Sequence, residues 1–307
     1  MKRICVIGSL NVDFVTSVEH FPKPGQSVFA RSFNIFPGGK GANQAVALGR
    51  LGADVLMVGK LGDRLYGSEY ISILKENHVC PDGVAVEKDQ YTGIAPITVD
   101  KNGENMIVVY PGANDLVDVK YIEEKWELFC SREIFLFQLE IPMETNLYAM
   151  KRLKELGRTV ILDPAPAKEL PKEIFGYVDY LTPNETELEA LSGVAVEAEA
   201  DIEKAARKLI DKGARTVIAK AGKRGAFIIS PDEFIPVRAF PVKAVDPTAA
   251  GDSFNAGLAF ALSRSMGLYE SVRFANAVAG LSTTAMGAQS AMPTYSQVEE
   301  FLSGQGK

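Results

Sequence analysis

Only two of the 307 residues are histidines, His20 and His78, and only three are cysteines, Cys5, Cys80 and Cys130. Two imidazoles leave little material for a histidine triad or a metal centre with several histidine ligands, so a general base is expected to be a carboxylate. Three widely spaced cysteines, odd in number and mostly among apolar neighbours, make neither a disulfide framework nor a CxxC metal site, and a reducing cytoplasm is their simplest home. No apolar run approaches the ~20 residues of a membrane helix. The start, MKRICVIGSLNVD, meets Asn11 and Asp13 too soon for a signal peptide. A soluble chain with no membrane partner is therefore expected. Basic residues are the minority, 33 against 39 acidic for a net charge of −6, and they are scattered, which argues against a nucleic-acid footprint.

What is plentiful is apolar and patterned. A hydrophobic fraction of 47% with 23% charged residues excludes a disordered chain. At ~150 residues per domain the length allows about two domains, but no linker and no internal repeat is visible, so one domain over 1–307 is expected. Short apolar runs at 3–8, 55–59, 134–138, 159–162, 178–181 and 216–219 read as buried strands. Between them Ile202, Ala205, Ala206, Leu209 and Ile210 recur at helical spacing, as do Phe254, Gly257, Leu258, Ala261 and Leu262, and then Phe274, Ala277, Val278 and Leu281. Strands alternating with helices indicate an α/β fold, a mostly parallel central sheet with helices on both faces. Two stretches, about 11–37 and 91–110, break the rhythm with alternating polar and apolar positions. They are expected to form a small antiparallel sheet projecting from the edge, a lid able to cover a ligand, or else an extension used only in assembly.

Three segments offer chemistry. VDPTAAGDSF at 245–254 runs straight into a helix, with small residues at Ala249, Ala250 and Gly251 where backbone N–H groups would be left for an anion. Asp252 there is either a first-turn carboxylate favoured by the helix dipole or a base beside a phosphoryl group. PGGKGANQ at 37–44 fails GxGxxG, because Gln44 replaces the last glycine, and no Gly-Lys pair is followed by Ser or Thr, so neither a dinucleotide fingerprint nor a P-loop is present. It is either a tight turn into a helix or a glycine-rich cradle with Lys40 and Asn43 for a polyhydroxylated ligand. Asn11 and Asp13, two apart after the first strand, suit a vicinal diol or an Asx turn. Glu140 closes the strand at 134–138 in the same way, and Asn184 and Glu187 open a helix after 178–181.

Together GSLNVD (8–13), PGGKGANQA (37–45), FQLEIP (137–142), LTPNETE (181–187) and VDPTAAGDSFNAG (245–257) resemble, in order and over essentially the whole chain, the PfkB or ribokinase-like carbohydrate kinases. GGKGANQA, AAGD and MGAQ at 286–289 are most similar to the ribokinase branch. The resemblance implies that Asp252 deprotonates a sugar primary hydroxyl while the backbone of Ala249, Ala250 and Gly251 stabilises the transferring phosphoryl. It implies that Asn11, Asp13, Gly39, Lys40, Asn43, Glu140 and Asp252 hold the sugar. For ATP it implies Asn184, the loop Lys220, Ala221, Gly222, Lys223, Arg224 and Gly225, then Gly251, Asp252 and Asn276. Glu187 would position Mg²⁺ through water. A monovalent cation, K⁺, would sit near Asp246, Thr248, Ser282, Ala285, Gly287 and Ala291. Pro247 stands where the family commonly has Thr, and Ala291 where a hydroxyl is frequent, with Ser290 adjacent.

The expected reaction is phosphorylation of D-ribose at its 5-hydroxyl by ATP. The alternatives are a kinase for another small sugar or a nucleoside, and a sugar-binding protein without catalysis. A nucleoside needs an apolar cradle for its base, whereas Lys40, Asn43 and Glu140 favour a small polar sugar. Exposed lid strands would be covered by a second copy, giving a homodimer.

Overall fold

The first strand shows how the layers arise: in ICVI, Ile4 and Val6 enter one apolar core while Cys5 and Ile7 enter the other, and all four are buried. The computed structural model describes residues 1–305. Its strands are β1 (Ile4–Ile7), β2 (Asn11–Ser17), β3 (Ser32–Gly38), β4 (Val55–Gly62), β5 (Cys80–Glu87), β6 (Gly93–Val99), β7 (Asn105–Ile107), β8 (Ile134–Phe137), β9 (Thr159–Leu162), β10 (Tyr180–Leu181), β11 (Val217–Lys220), β12 (Ala226–Ile229) and β13 (Phe234–Val237). Its helices are α1 (Lys40–Arg50), α2 (Gly67–Glu76), α3 (Val119–Phe129), α4 (Met143–Glu155), α5 (Glu185–Ser192), α6 (Glu199–Asp211), α7 (Ala250–Ser263), α8 (Leu268–Ser282) and α9 (Tyr295–Gly304).

Nine strands form the main sheet in the order β13-β12-β11-β10-β9-β8-β1-β4-β5. From β11 to β5 all neighbours are parallel, and β12 and β13 add an antiparallel edge. Tyr70, Leu74, Phe254, Leu258, Val272 and Val278 from α2, α7 and α8 cover one face. Tyr121, Trp126, Met150, Leu153, Leu188 and Leu209 from α3, α4, α5 and α6 cover the other. The α/β architecture with helices on both faces is therefore as expected. In α6 the buried Ile202, Ala205, Ala206 and Leu209 are the expected stripe.

The second sheet, β3-β2-β6-β7, is built from the two interruptions of the βα rhythm. It is mixed, which corrects the antiparallel expectation: β2 pairs with β3 and β6 with β7 antiparallel, but β2 and β6 are parallel, Asp13 opposite Ala95. The reason is topological, since β2 follows β1 and β6 follows β5, and both leave the same end of a parallel sheet. The strand expected over 178–181 shrinks to Tyr180 and Leu181.

Candidate active site

Strand order reverses beside β1: the chain proceeds from β1 to β4 and β5 on one side, and through β8 to β11 on the other. Ligands of open α/β sheets bind outside the carboxyl ends of the strands at such a reversal. Ser9 and Asn11 follow β1, Glu140 follows β8, Asp163 follows β9, Asn184 follows β10, and Lys220 ends β11. Facing them is the start of α7. Lys40, Asp163, Asn184, Glu187, Lys220, Gly222, Gly225, Ala249, Ala250, Gly251, Asp252 and Asn276 line one cleft of about 340 Å³.

Ala249, before α7, has a φ of 58°, a left-handed conformation uncommon without glycine. The Ala250 N–H turns back to the Pro247 carbonyl at 3.1 Å, and no side chain caps the helix, so its first turn presents backbone donors to the cleft. Asp252 does not act as a cap. Its Oδ2 accepts from Asn43 Nδ2 at 3.0 Å and its Oδ1 from Gln44 Nε2 at 3.1 Å. The carboxyl is 6% exposed, and burial raises its pKa to about 6, opposed by Lys40 and by these two amides and reinforced by Asp163. A carboxylate poised there accepts protons near neutral pH.

Toward the lid lie the candidate sugar residues. Glu140 Oε2 accepts the Ser9 hydroxyl at 2.5 Å and the Lys40 backbone N–H at 3.0 Å, fixing the start of α1. Gly39 has a φ of 86°, and a Cβ there would lie 2.6 Å from the Asn11 nitrogen. Asn11 Oδ1 accepts from Asn114 Nδ2 at 2.7 Å, which leaves its own amide nitrogen for a ligand. Burial pushes Asp13 up to about 7, helped by Glu140 and Asp252 and opposed by Lys40. Burial works against the Lys40 charge too, but Asp252, Asp163, Glu140 and Glu187 outweigh it and hold the ammonium above its ordinary pKa. Two carboxyls with raised pKa values beside a firmly charged lysine suit hydroxyl recognition and proton transfer.

On the opposite side Asn184 and Glu187 form a reciprocal capping box at α5, with Glu187 N–H donating to Asn184 Oδ1 and Asn184 N–H to Glu187 Oε2, both at 2.8 Å. Burial raises the Glu187 pKa, opposed by Lys220. Asn276 donates to the Val237 and Arg238 carbonyls at 2.9 and 3.2 Å. Beyond α7, Asp246 ties two loops together by accepting the N–H groups of Thr248 at 2.9 Å and Gly287 at 3.0 Å. Burial would raise its pKa, but these hydrogen bonds prevail and lower it.

Residues 1–295 match the pfkB family of carbohydrate kinases. The chain belongs to that family. It is 41% identical over 303 residues to a ribokinase of Bacillus subtilis, covering 99% of this chain and 100% of the relative. A ribokinase structure from Thermotoga maritima superposes with a TM-score of 0.91 at 42% identity, covering 99% and 100% of the two chains. The structure of Arabidopsis thaliana ribokinase with ribose and ATP gives 0.92 at 32% identity, covering 98% of each.

Of the candidate sugar residues only Lys40 and Asp252 line this cleft, and Asn43 and Glu140 join it through hydrogen bonds to Asp252 and to the Lys40 backbone, while Asn11, Asp13 and Gly39 lie outside its lining. Of the loop 220–225, Lys220, Gly222 and Gly225 line the cleft, whereas Ala221 is buried, Lys223 is exposed and Arg224 pairs with Glu185. Asp246, Thr248, Ser282, Ala285, Gly287 and Ala291 do not line it; of these, Asp246, Thr248 and Gly287 are joined by hydrogen bonds, and the Asp246 N–H also reaches the Thr283 carbonyl. Sequence reasoning missed Gln44, Asp163, Asn114 and Gln138 as site residues. Gln44 Nε2 also donates to Asp163 Oδ2 at 3.1 Å, Asp163 Oδ1 accepts from Lys220 Nζ at 2.8 Å, and Gln138 Nε2 donates to Gln44 Oε1 at 2.7 Å. Asp163 was findable, since it directly follows the apolar strand β9 at the ligand end of the sheet, as Glu140 closely follows β8.

Proposed function

We propose that this chain transfers the γ-phosphoryl group of ATP to the 5-hydroxyl of D-ribose, giving D-ribose 5-phosphate and ADP. The observation that carries this reading is Asp252. It is a buried carboxyl with a raised pKa at an uncapped helix start, tied through Asn43 to the glycine-rich segment on the lid side. Asp252 takes the hydroxyl proton as the oxygen attacks phosphorus, while the N–H groups around Ala249, Ala250 and Gly251 receive the negative charge of the transferring group. Asn11, Asp13, Gly39, Lys40, Asn43 and Glu140 orient the sugar. Asn184, Asn276 and the loop 220–225 position the nucleotide.

Glu187, buried beside Lys220 and Asp163 on the cleft wall, suits a hydrated magnesium ion, which supplies neutralisation of phosphate charge. Each Asp246 oxygen accepts one backbone N–H and keeps a lone pair, so a potassium ion between the 246–248 and 282–291 loops would rest on Asp246 together with backbone carbonyl oxygens. The lid belongs to the same folding unit, because Val12 and Phe14 pack into the core shared with α1 and α7. Its outer strands expose Phe33, Met106 and Ile107, and Val108 just after β7, at 52–70%, which a second copy of the chain covers in a homodimer. The free cysteines Cys5, Cys80 and Cys130 fit a reducing cytoplasm. Phosphorus NMR of the product tests the reaction. A single phosphomonoester on the primary carbon is expected, and a phosphate on any other carbon would contradict it.

A further inference from the structure

We propose that Gln289 is a positioning residue that fixes which way the Asn43 amide faces, and so which group the cleft presents to Asp252 and to the sugar. Gln289 is 5% exposed and begins a short 3-10 turn, Gln289–Ala291. Its Nε2 lies 3.1 Å from Asn43 Oδ1 and 3.1 Å from the Tyr70 hydroxyl oxygen. Tyr70 is fully buried and gives its single proton to the Gly38 carbonyl at 2.5 Å, at the root of the lid. Its oxygen is then an acceptor toward Gln289, so the atom of Gln289 that faces it must be the amide nitrogen. The same nitrogen offers its second proton to Asn43, which must accept with Oδ1, and this turns Asn43 Nδ2 toward Asp252 Oδ2 at 3.0 Å.

The opposite orientation of Asn43 would set its Oδ1 against a carboxylate oxygen, two acceptors with no proton between them. Gln289 Oε1 is buried without a partner among the described residues. An unsatisfied buried acceptor is unfavourable, and the site tolerates it while both amide protons stay committed to Tyr70 and Asn43. A residue that merely filled space would carry no such asymmetry. Donors thus run in fixed senses from Gln289, to Tyr70 and on to the lid root, and to Asn43 and on to the base.

The inference rests on Asp252 facing a sugar site, as proposed above, so the test reads binding as well as turnover. Ribose affinity by calorimetry, and KM for ribose and for ATP, are measured on the full chain and on Gln289→Met, Tyr70→Phe and the double variant. In Gln289→Met an Asn43 free to turn either way loses a directed hydrogen bond. Ribose Kd and KM should rise about tenfold, with the ATP KM unchanged within about twofold. Tyr70→Phe frees the Gln289 amide and should give a smaller rise of the same kind. The double variant should bind ribose more tightly than the two single losses combined would give, because Tyr70 acts partly through Gln289 and only its bond to the Gly38 carbonyl is independent of it. If Gln289→Met does not fold, Tyr70→Phe alone still shows the ribose-against-ATP split. Unchanged ribose affinity, equal rises for ribose and ATP, or additive losses in the double variant would overturn the proposal. A wild-type chain that binds ribose without releasing ADP would instead sink the catalytic reading of Asp252, while the Gln289 split would still be measured.

Discussion

Replacing Asp252 by Asn is expected to slow turnover sharply while relieving the fold of a buried charge. Burial lifts the carboxyl from 3.8 to about 6 in the native chain. At about 1.4 kcal/mol per pKa unit, the ionised side chain destabilises the fold by about 3 kcal/mol at pH 7. The native pKa is the higher one, so the folded chain binds more protons than the unfolded chain between about pH 4 and pH 7. The penalty is therefore full above the native value and fades as the pH falls through the unfolded value. Asn carries no charge in either state. Its amide protons, however, would face a donor, either Asn43 Nδ2 or Gln44 Nε2, at about 1–3 kcal/mol. That clash does not depend on pH, so it cancels from the difference between two pH values. The stability change on mutation should be more favourable at pH 7 than at pH 4 by about 2 kcal/mol. Loss of the base should lower kcat by about 10²–10⁴-fold. Urea titrations at the two pH values, with coupled ADP release at pH 7, measure both. A variant within tenfold of wild-type kcat, or a stability change equal at the two pH values, would contradict the role given to Asp252.

Wild-type kcat/KM for ribose should fall as the pH drops from 7 to 5, because Asp252 and Asp13, with raised pKa values of about 6 and about 7, take up protons there; a profile flat over that range contradicts the assignment. Gly38→Ala would set a Cβ 2.2 Å from Asp13 Oδ2, so the ribose KM should rise at least about tenfold with the ATP KM little changed, as steady-state kinetics will show. In sedimentation the chain should run as a dimer and Phe33→Glu should run near the 33.3 kDa of one chain; a wild-type monomer would remove the proposed lid contact.

Much of this arrangement was legible in the sequence because central parallel strands are buried on both faces and so read as unbroken apolar runs, as ICVI and IFLF do. Edge strands lack that signal. β5 carries Pro81, Asp82 and Gly83 and is mostly half-exposed, and it pairs with β4 through a register shift between Leu56 and Val58. The antiparallel pair β12 and β13 follows β11 with only the 3-10 turn Gly222–Arg224 and no α-helix between, which the βα rhythm does not anticipate. At the site, Asp252 was visible from its own neighbours, as a carboxyl after small residues at a helix start. The groups that hold it were not. Asn43 and Gln44 lie 209 and 208 residues away in the chain, and hydrogen-bond partners at that separation are set by the packing of α1 against α7, which leaves no local pattern. In the sequence Gln289 stands out only as the end of MGAQ, because its significance depends on which amide atom meets Tyr70.

The proposed chemistry turns on a carboxylate base acting on one particular hydroxyl. The measurement that tests it most directly is coupled ADP release across ribose, 2-deoxyribose, fructose and adenosine, with and without potassium, for the wild-type chain and Asp252→Asn. Release should be greatest with ribose, should increase with potassium, and should fall by orders of magnitude in the variant. Release that is as fast in Asp252→Asn as in the wild type, or that is greatest with adenosine, would contradict it.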